Sequence, residues 1–301
     1  MKKILCLVLA AVMALFTLTA CSKSQKAIAK PYNTILESLV YDDADLPVLK
    51  VATSPDFAPM EFVDLSRTGD DQFVGFDLLL AKFIAKELGC KLKIMPMSFD
   101  ACQAAVQTGA VDLAISGFSW TEERAQHFLI SDYYEAGNEN EQVVITTKAN
   151  AGKWTKAEDF KGVKVGAQGA SLQEKLCNEQ LKDCGAEIIL FENLNDAVMA
   201  LMTGKIDALA CAQGNGEAFI SANKKDLAQS GYMFEVADEY KANVILLNLE
   251  DDVLLAKVNA CLAKAEAAGY YIPWYEACQL LNNIKTLDEL GYDDDGNKIT
   301  E

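Results

Sequence analysis

Apolar positions along the chain fall into short runs and helical stripes that alternate. Val48 to Thr53 predicts a strand stopped by Ser54-Pro55, and Phe57-Ala58-Pro59 predicts a rigid loop after it. FVGFDLLLAKFIAKELG sets Leu78, Leu79, Phe83, Ile84 and Leu88 at helical spacing ahead of Gly89, which predicts an amphipathic helix closed by a glycine. KLKIMPM predicts the next strand. A unit then occurs twice, FDACQAAVQTGAVDLAIS from Phe99 and LNDAVMALMTGKIDALAC from Leu194. In both copies a helical stripe ends at Thr-Gly, Thr108-Gly109 and Thr203-Gly204, and an Asp, Asp112 or Asp207, leads an apolar strand at the same interval. Gly109 and Gly204 are the expected C-caps. The repetition predicts two similar α/β lobes with a cleft between them, the usual place for a small ligand.

Gly137-Asn138-Glu139-Asn140 is a turn-rich break before the strand QVVITT, where the second lobe starts. DFKGVKVGAQGASLQEKL reads as turn, strand, glycine-bearing loop and helix, and AEIILFEN as a further strand. After GYMFEVADEY, the strand ANVILLNL and the helix DDVLLAKVNACLAKAEAAG resume the style of the first lobe. The chain therefore crosses between lobes twice, near 137–142 and near 239–243, and two crossings make a hinge. The expected organisation is a signal peptide at 1–20 and a lipidated tether at 21–47. Lobe 1 follows as 48–138 plus 243–285, lobe 2 as 139–242 and an acidic tail as 286–301.

Lys2 and Lys3 precede an apolar run from Ile4 to Ala20, which is short of the roughly 20 residues that span a bilayer comfortably. Leu18-Thr19-Ala20-Cys21 resembles a bacterial lipobox, which implies acylation of Cys21 and a membrane contact through that lipid. Residues 22 to about 47 carry lysines without sustained periodicity and read as a tether. The formal net charge is −17, and loss of Lys2 and Lys3 with the leader takes it to −19. Such a surface repels phosphate backbones and anionic lipid, so nucleic acid is not an expected partner.

Of the nine cysteines, seven lie beyond the leader and Cys21: Cys90, Cys102, Cys177, Cys184, Cys211, Cys261 and Cys278. Cys177 and Cys184 on one continuous helix would stand about 10 Å apart, out of disulfide reach, and no Cys-x-x-Cys occurs. Buried free thiols are expected. Asp293, Asp295 and Gly296 are spaced as in part of a calcium loop, but the register would start at Gly291 and run past Glu301, so no metal is expected. No cofactor is expected either.

The densest site candidate is Ser116-Gly117-Phe118-Ser119-Trp120-Thr121-Glu122-Glu123-Arg124, which joins a strand end to a helix start. Ser119 with Glu122 fits a capping box. Amides at this helix start, with Arg124 one turn in, would make a receptor for a planar carboxylate, because a guanidinium offers two parallel donors. The only histidine, His127, sits in ERAQHFL and reads as a packed or surface helix residue.

The ordered motifs VATSPDFAPMEF, FVGFDLLLAKFIAKELG, FDA, TGAVDLAISGFSWTEER, ISDYY, DFKGVKVGAQGAS and TGKIDALA resemble extracellular solute-binding protein family 3, over about residues 48–282. The resemblance implies an α/β, two-lobed periplasmic-binding-protein-like (type II) fold with a hinge of two crossing segments. It implies a substrate-binding lipoprotein of an ABC importer for a polar amino acid or related small carboxylate, monomeric and lipid-anchored at the cell surface or in the periplasm. Its partners would be the small ligand, an ABC permease and the permease's ATPase. Arg124 matches the family's carboxylate-binding arginine, and Phe57 and Phe99 match aromatics that flank the ligand. Ser116, Gly117 and Ser119 match positions that meet its ammonium and carboxylate. Ser171 matches a second-lobe residue whose backbone N–H completes the carboxylate site, with Gly169 and Ala170 keeping that turn narrow.

One departure stands out. Where the family carries an Asp for the ligand ammonium, this chain has Ala212 with Gln213 beside it. Asp56, Glu61, Glu139, Glu141 and Glu217 are candidate substitutes. An enzyme of the dehydratase type on the same scaffold is the competing expectation, but no nucleophile elbow, zinc helix or phosphate loop is present. A sensor ectodomain is disfavoured, since no transmembrane or signalling segment follows.

Overall fold

Two five-stranded sheets carry the computed structural model, which describes residues 24–134 and 141–299. Six strands and two helices first build one half: β1 (Val48–Thr53), β2 (Asp56–Phe57), β3 (Glu61–Val63), β4 (Phe73–Val74), α2 (Phe76–Glu87), β5 (Lys91–Pro96), α3 (Phe99–Gln107) and β6 (Leu113–Ser119). The helix preceding them, α1, covers residues 24–38. The first half continues with α4 (Glu122–His127) and β7 (Leu129–Ile130). The second half holds β8 (Gln142–Thr147), β9 (Lys164–Gln168), α5 (Leu172–Gln180), β10 (Glu187–Phe191), α6 (Leu194–Met202), β11 (Ala208–Ala212), α7 (Gln213–Ala222) and β12 (Leu227–Met233). β13 (Asn243–Leu247), α8 (Asp252–Ala267) and α9 (Tyr271–Leu281) complete the chain's elements.

The sheet orders are β5-β1-β6-β13-β7 and β10-β9-β11-β8-β12, the same topology used twice. In each sheet the first three strands are parallel, and the remaining strands add antiparallel. β13 follows lobe 2 in sequence yet pairs in the lobe 1 sheet, so the chain does leave the first lobe and return. The α/β two-lobed fold class is borne out.

The recurring sequence unit owes its likeness to a shared job. Gly109 and Gly204 adopt φ 67° and 72°, the left-handed conformation that ends α3 and α6 without a Cβ penalty. The Asp three residues later is tied to the neighbouring parallel strand. Asp112 Oδ2 accepts the Lys50 N–H (2.6 Å) while the Asp112 N–H donates to the Lys50 carbonyl (3.0 Å). Asp207 forms the same pair with Lys164, at 2.9 Å in both directions. Each carboxylate thus sets the register between two strands of its sheet.

Three expectations are corrected. Residues 24–38, expected within a tether, are helical, and Tyr32, Ile35, Leu36 and Leu39 at helical spacing pack on the lobe 1 core. Lysines and Pro31 mask that stripe in the sequence. α1 also accepts hydrogen bonds from Arg67 (to Asn33 Oδ1, 2.7 Å) and Gly75 N–H (to Tyr32 Oη, 3.3 Å). For the same reason α2 is not amphipathic in the ordinary sense: Leu78, Leu79, Leu80, Ala81, Phe83, Ile84 and even Asp77 are buried, because α1 joins α8 and α9 in covering it. Finally, the capping box of Ser119 and Glu122 does not form. β6 runs through Ser119, and Thr121 is the N-cap of α4, its Oγ1 accepting the Arg124 N–H at 3.2 Å.

None of the seven cysteines in the described residues forms a disulfide, and five of them are buried. In the tail Asp293 Oδ1 accepts the N–H groups of Asp295 (3.0 Å) and Asn297 (2.8 Å), so this carboxylate closes a turn. No helix among the described residues is long and apolar enough to cross a membrane. The signal peptide, Cys21, the Gly137–Asn140 break and Glu139 lie outside the described residues.

Candidate functional site

β2, α3, β6 and α4 of lobe 1 meet the N-terminus of α5 of lobe 2 at a cavity of about 20 Å³. Phe57, Phe99, Ser116, Gly117, Ser119, Arg124, Gln168, Ser171, Leu172 and Gln173 line it. Seven of the eight candidate residues therefore converge from two lobes. A wider cavity of about 650 Å³ shares Arg124 and Ser171 with it and runs out between α3, α4 and α5.

Arg124 occupies the junction. Thr121 caps α4 and turns the Arg124 side chain back under the strand end, where it is only 5% exposed. Its Nη1 donates to the Ser119 carbonyl (2.6 Å), and its Nη2 to the Ala170 carbonyl of lobe 2 (2.8 Å). The guanidinium carbon lies 5.6 Å from the Phe99 ring centroid and 5.4 Å from that of Phe118, so two π faces cover the cation. Among the described residues no carboxylate pairs with it. Burial pulls the Arg124 pKa down from its ordinary value to about 10, only partly opposed by the charge of Glu123. The Arg124 Nε also donates to Gln103 Oε1 (3.5 Å), so the cation is held by neutral acceptors and rings, an arrangement that can receive an anion.

The other wall residues are held from behind. Ser116 Oγ donates to Glu61 Oε1 (2.6 Å) and accepts the Ser54 N–H (2.9 Å). The Gly117 N–H donates to Asp77 Oδ2 (2.7 Å), and Tyr134 Oη donates to Asp77 Oδ1 (2.9 Å). Gly117 takes φ 57°, and a Cβ there would come within 2.9 Å of the Phe57 ring, so glycine is required by both backbone and space. Phe57 itself packs against hydrophobic clusters of both lobes. Glu61 and Asp77 are fully buried behind this wall. Desolvation, with the neighbouring Asp77 charge, holds the Glu61 carboxyl well above the usual carboxylate range, and desolvation raises Asp77 to about 6. The two acids share negative charge close behind Ser116 and Gly117.

Ser171 is the N-cap of α5: its Oγ accepts the Glu174 N–H (3.1 Å) and donates to the Gln168 carbonyl (2.6 Å). First-turn amides of a helix have no intrahelical acceptor, and these open onto the cavity at Ser171, Leu172 and Gln173. In the turn before it the residue with positive φ is Ala170 (59°). Gly169, expected to keep the turn narrow, is not in that region and has room for a Cβ, with its nearest neighbour at 3.8 Å.

Gln213 is not among the lining residues. It opens α7, and its Nε2 donates to Glu217 Oε1 (2.9 Å). Ala212 is buried at the end of β11 and offers no side-chain acceptor. None of the candidate substitute acids in the described residues lines the cavity. Asp56 reaches across to lobe 2, Glu61 lies behind Ser116, Glu141 is exposed, and Glu217 is bonded to Gln213. Gln168, Leu172 and Gln173 also line the cavity; in the sequence Gln168 lies inside GAQGAS, and Leu172 and Gln173 follow it directly. His127 is exposed on α4, as expected of a surface helix residue.

Comparison with known proteins gives a consistent picture. The family described as bacterial extracellular solute-binding proteins, family 3, matches residues 49–276. The arginine-binding extracellular protein ArtP of Bacillus subtilis (strain 168) is 29% identical over 269 residues, covering 89% of this chain and 94% of that protein. A probable histidine-binding protein of Campylobacter jejuni is 32% identical over 226 residues, 74% of this chain and 78% of its own length. Among solved structures, the amino acid ABC transporter substrate-binding protein AbpA of Streptococcus pneumoniae, bound to L-arginine, superposes with a TM-score of 0.71 at 31% identity. It covers 79% of this chain and 97% of that one. An ancestral arginine-binding protein bound to glutamine superposes with a TM-score of 0.67 at 32% identity, covering 76% and 96%.

Proposed function

The chain belongs to the bacterial extracellular solute-binding proteins, family 3, and from that premise we propose that it captures a polar amino acid or related small carboxylate for an ABC importer. The observation that carries this reading is Arg124, a buried guanidinium without a carboxylate partner at the meeting of two lobes. Its two outer donors are spent on carbonyls from opposite lobes. Hinge opening breaks the bond to Ala170 and leaves one N–H group free to take a carboxylate oxygen; the second oxygen competes with the Ser119 carbonyl for the other. Pairing replaces two neutral acceptors with an anion and offsets the desolvation of the cation. Amides at the start of α5 then close on the same anion, so only the shut form contacts the ligand from both sides.

In this reading Phe57 and Phe99 flank the ligand, Ser116, Gly117 and Ser119 form its lobe 1 wall, and Ser171 completes the site from lobe 2. Relatives named for arginine and histidine binding support an amino acid ligand, and they are binding proteins, which favours transport over a dehydratase. Lobe 1 is assigned to 48–138 plus 243–285 and lobe 2 to 139–242. Acylation at Cys21 would anchor the monomer to the bacterial membrane beside a permease and its ATPase. A thermal-shift screen of the twenty amino acids and their deaminated carboxylates tests the reading. It expects stabilisation of wild type by at least one amino acid and none for Arg124→Ala; equal stabilisation of both proteins overturns it.

A further inference from the structure

Asp56 precedes Phe57 in β2, yet most of its carboxylate's bonds leave lobe 1. Its Oδ2 accepts the Leu194 N–H at 2.7 Å and the Gln168 Nε2–H at 3.1 Å, both from lobe 2. Oδ1 accepts the Ser54 hydroxyl at 2.9 Å, which fixes the side chain on its own lobe. Leu194 is the first residue of α6, so an anion from lobe 1 sits on the positive end of a lobe 2 helix. That helix already has a cap of its own: Asn193 Oδ1 accepts the Asp196 N–H at 2.8 Å. Asp56 is therefore not needed to finish α6. What it adds is a bond between lobes.

Gln168 couples this contact to the site, since the same side chain that donates to Asp56 lines the cavity beside Arg124 and Ser171. The other cross-lobe polar contacts among the described residues are a bond from Arg124 to the Ala170 carbonyl, a long one from Asn215 Nδ2 to the Ala58 carbonyl (3.4 Å), and one from Ser221 Oγ to the Asn283 carbonyl. Arg124 is committed to the ligand in the functional reading above, so its bond to Ala170 is exchanged on binding. Asp56 does not line the cavity, so ligand need not displace its bonds to Leu194 and Gln168.

We propose that Asp56 is a positioning residue for closure: a lobe 1 carboxylate that seats on the N-terminus of α6 and on Gln168, holds the lobes shut, and so sets how long a ligand is retained without touching it. The proposal rests on the binding-protein reading for its consequence, retention, whereas the latch itself rests on the Asp56 bonds alone. Its loss therefore has two separable effects. Closure becomes less favourable before any ligand is added, and dissociation of bound ligand accelerates while association changes little, because the open form receives the ligand.

The test uses the full soluble chain with L-arginine as probe and three variants, Asp56→Ala, Asp56→Asn and Asn193→Ala. Small-angle scattering of the ligand-free proteins reports closure, and stopped-flow fluorescence reports dissociation. Asp56→Ala is expected to show a larger radius of gyration than wild type and a dissociation rate about ten-fold higher or more, the range for loss of charge-assisted hydrogen bonds. Asp56→Asn keeps an acceptor for Leu194 but loses the charge, and is expected to fall between the two; it also serves if the alanine variant does not fold. Asn193→Ala weakens the same helix terminus from within lobe 2 and is expected to match wild type in both readouts. Wild-type scattering from both Asp56 variants overturns the latch, as does an Asn193→Ala variant that reproduces their effects. If wild type does not bind L-arginine or any other amino acid, the binding reading fails, while the ligand-free scattering still decides the latch.

Discussion

Replacing Arg124 by Met separates a binding residue from a structural one. The side chain keeps its bulk and loses its charge. Burial brings the guanidinium down to about 10, which corresponds to about 3 kcal/mol of penalty on the charged form in the folded chain. Met removes that penalty. It also removes a long, weak bond to Gln103 Oε1 (3.5 Å) and two short ones, leaving the Ser119 and Ala170 carbonyls without their donors, a loss of about 1–1.5 kcal/mol for each short bond. The two effects nearly cancel, so the expected change in stability is within about 1 kcal/mol, or about 2–4 °C in Tm for a chain of this size. Breaking a true buried ion pair would instead cost about 3–5 kcal/mol. Differential scanning calorimetry with and without an amino acid that stabilises wild type reads both quantities. The variant is expected to melt close to wild type and to show no ligand-induced shift. A drop of several kcal/mol with the ligand shift intact would show that Arg124 holds the lobes together and does not hold ligand, refuting the reasoning.

Three further outcomes follow from the same geometry. Gly75→Ala is expected to destabilise by about 3 kcal/mol or more, because φ is 131° and the new Cβ would lie 2.2 Å from the Met60 carbonyl oxygen; urea unfolding checks it, and a near-neutral result would contradict the close approach. Ala170→Gly relieves a left-handed alanine at φ 59° and is expected to leave the ligand-free chain equally stable or up to about 1 kcal/mol more so, offset by backbone entropy; a loss above that in urea unfolding would argue against the strained turn. Glu61 and Asp77 have folded pKa values raised above their unfolded ones, so the folded state binds the extra protons and stability falls as pH rises from about 4 through about 6 and beyond. Each pH unit over which Glu61 keeps its proton costs about 1.4 kcal/mol, and Glu61→Gln removes that share; unfolding free energies at pH 4.5 and 7.5 should differ less in the variant, and an unchanged difference would sink the assignment.

The lobes were legible because each repeats its stop signals. Gly109 with Asp112 and Gly204 with Asp207 do local work that any copy of the unit must do, so the same residues recur at the same spacing. Arg124 was legible for a related reason, lying one turn into a helix that follows a strand end. Where local pattern met long-range pairing, the pairing won. Ser119 and Glu122 have the spacing of a capping box, but Asn243 pairs with Ser119 in the β13–β6 ladder, which extends the strand and hands the cap to Thr121. α1 was hidden because its apolar stripe needs α2 to cover, and that partner begins only at Phe76, well beyond the end of α1 at Ser38. Asp56 was visible as an acid, but its partner Leu194 lies 138 positions away. No short-range pattern specifies that meeting. Gln213 does not line the cavity: α7 begins with it, and its amide finds Glu217 one turn on.

The most direct test of the central claim is a calorimetric titration of the wild-type chain with a stabilising amino acid and with the same molecule carrying a carboxamide in place of the α-carboxylate. Arg124 makes the anion indispensable, so the amino acid is expected to bind and the carboxamide to bind at least about 100-fold more weakly, as for loss of a buried charge-assisted pair. Equal affinities for the two would mean that the guanidinium between the lobes does not receive the ligand.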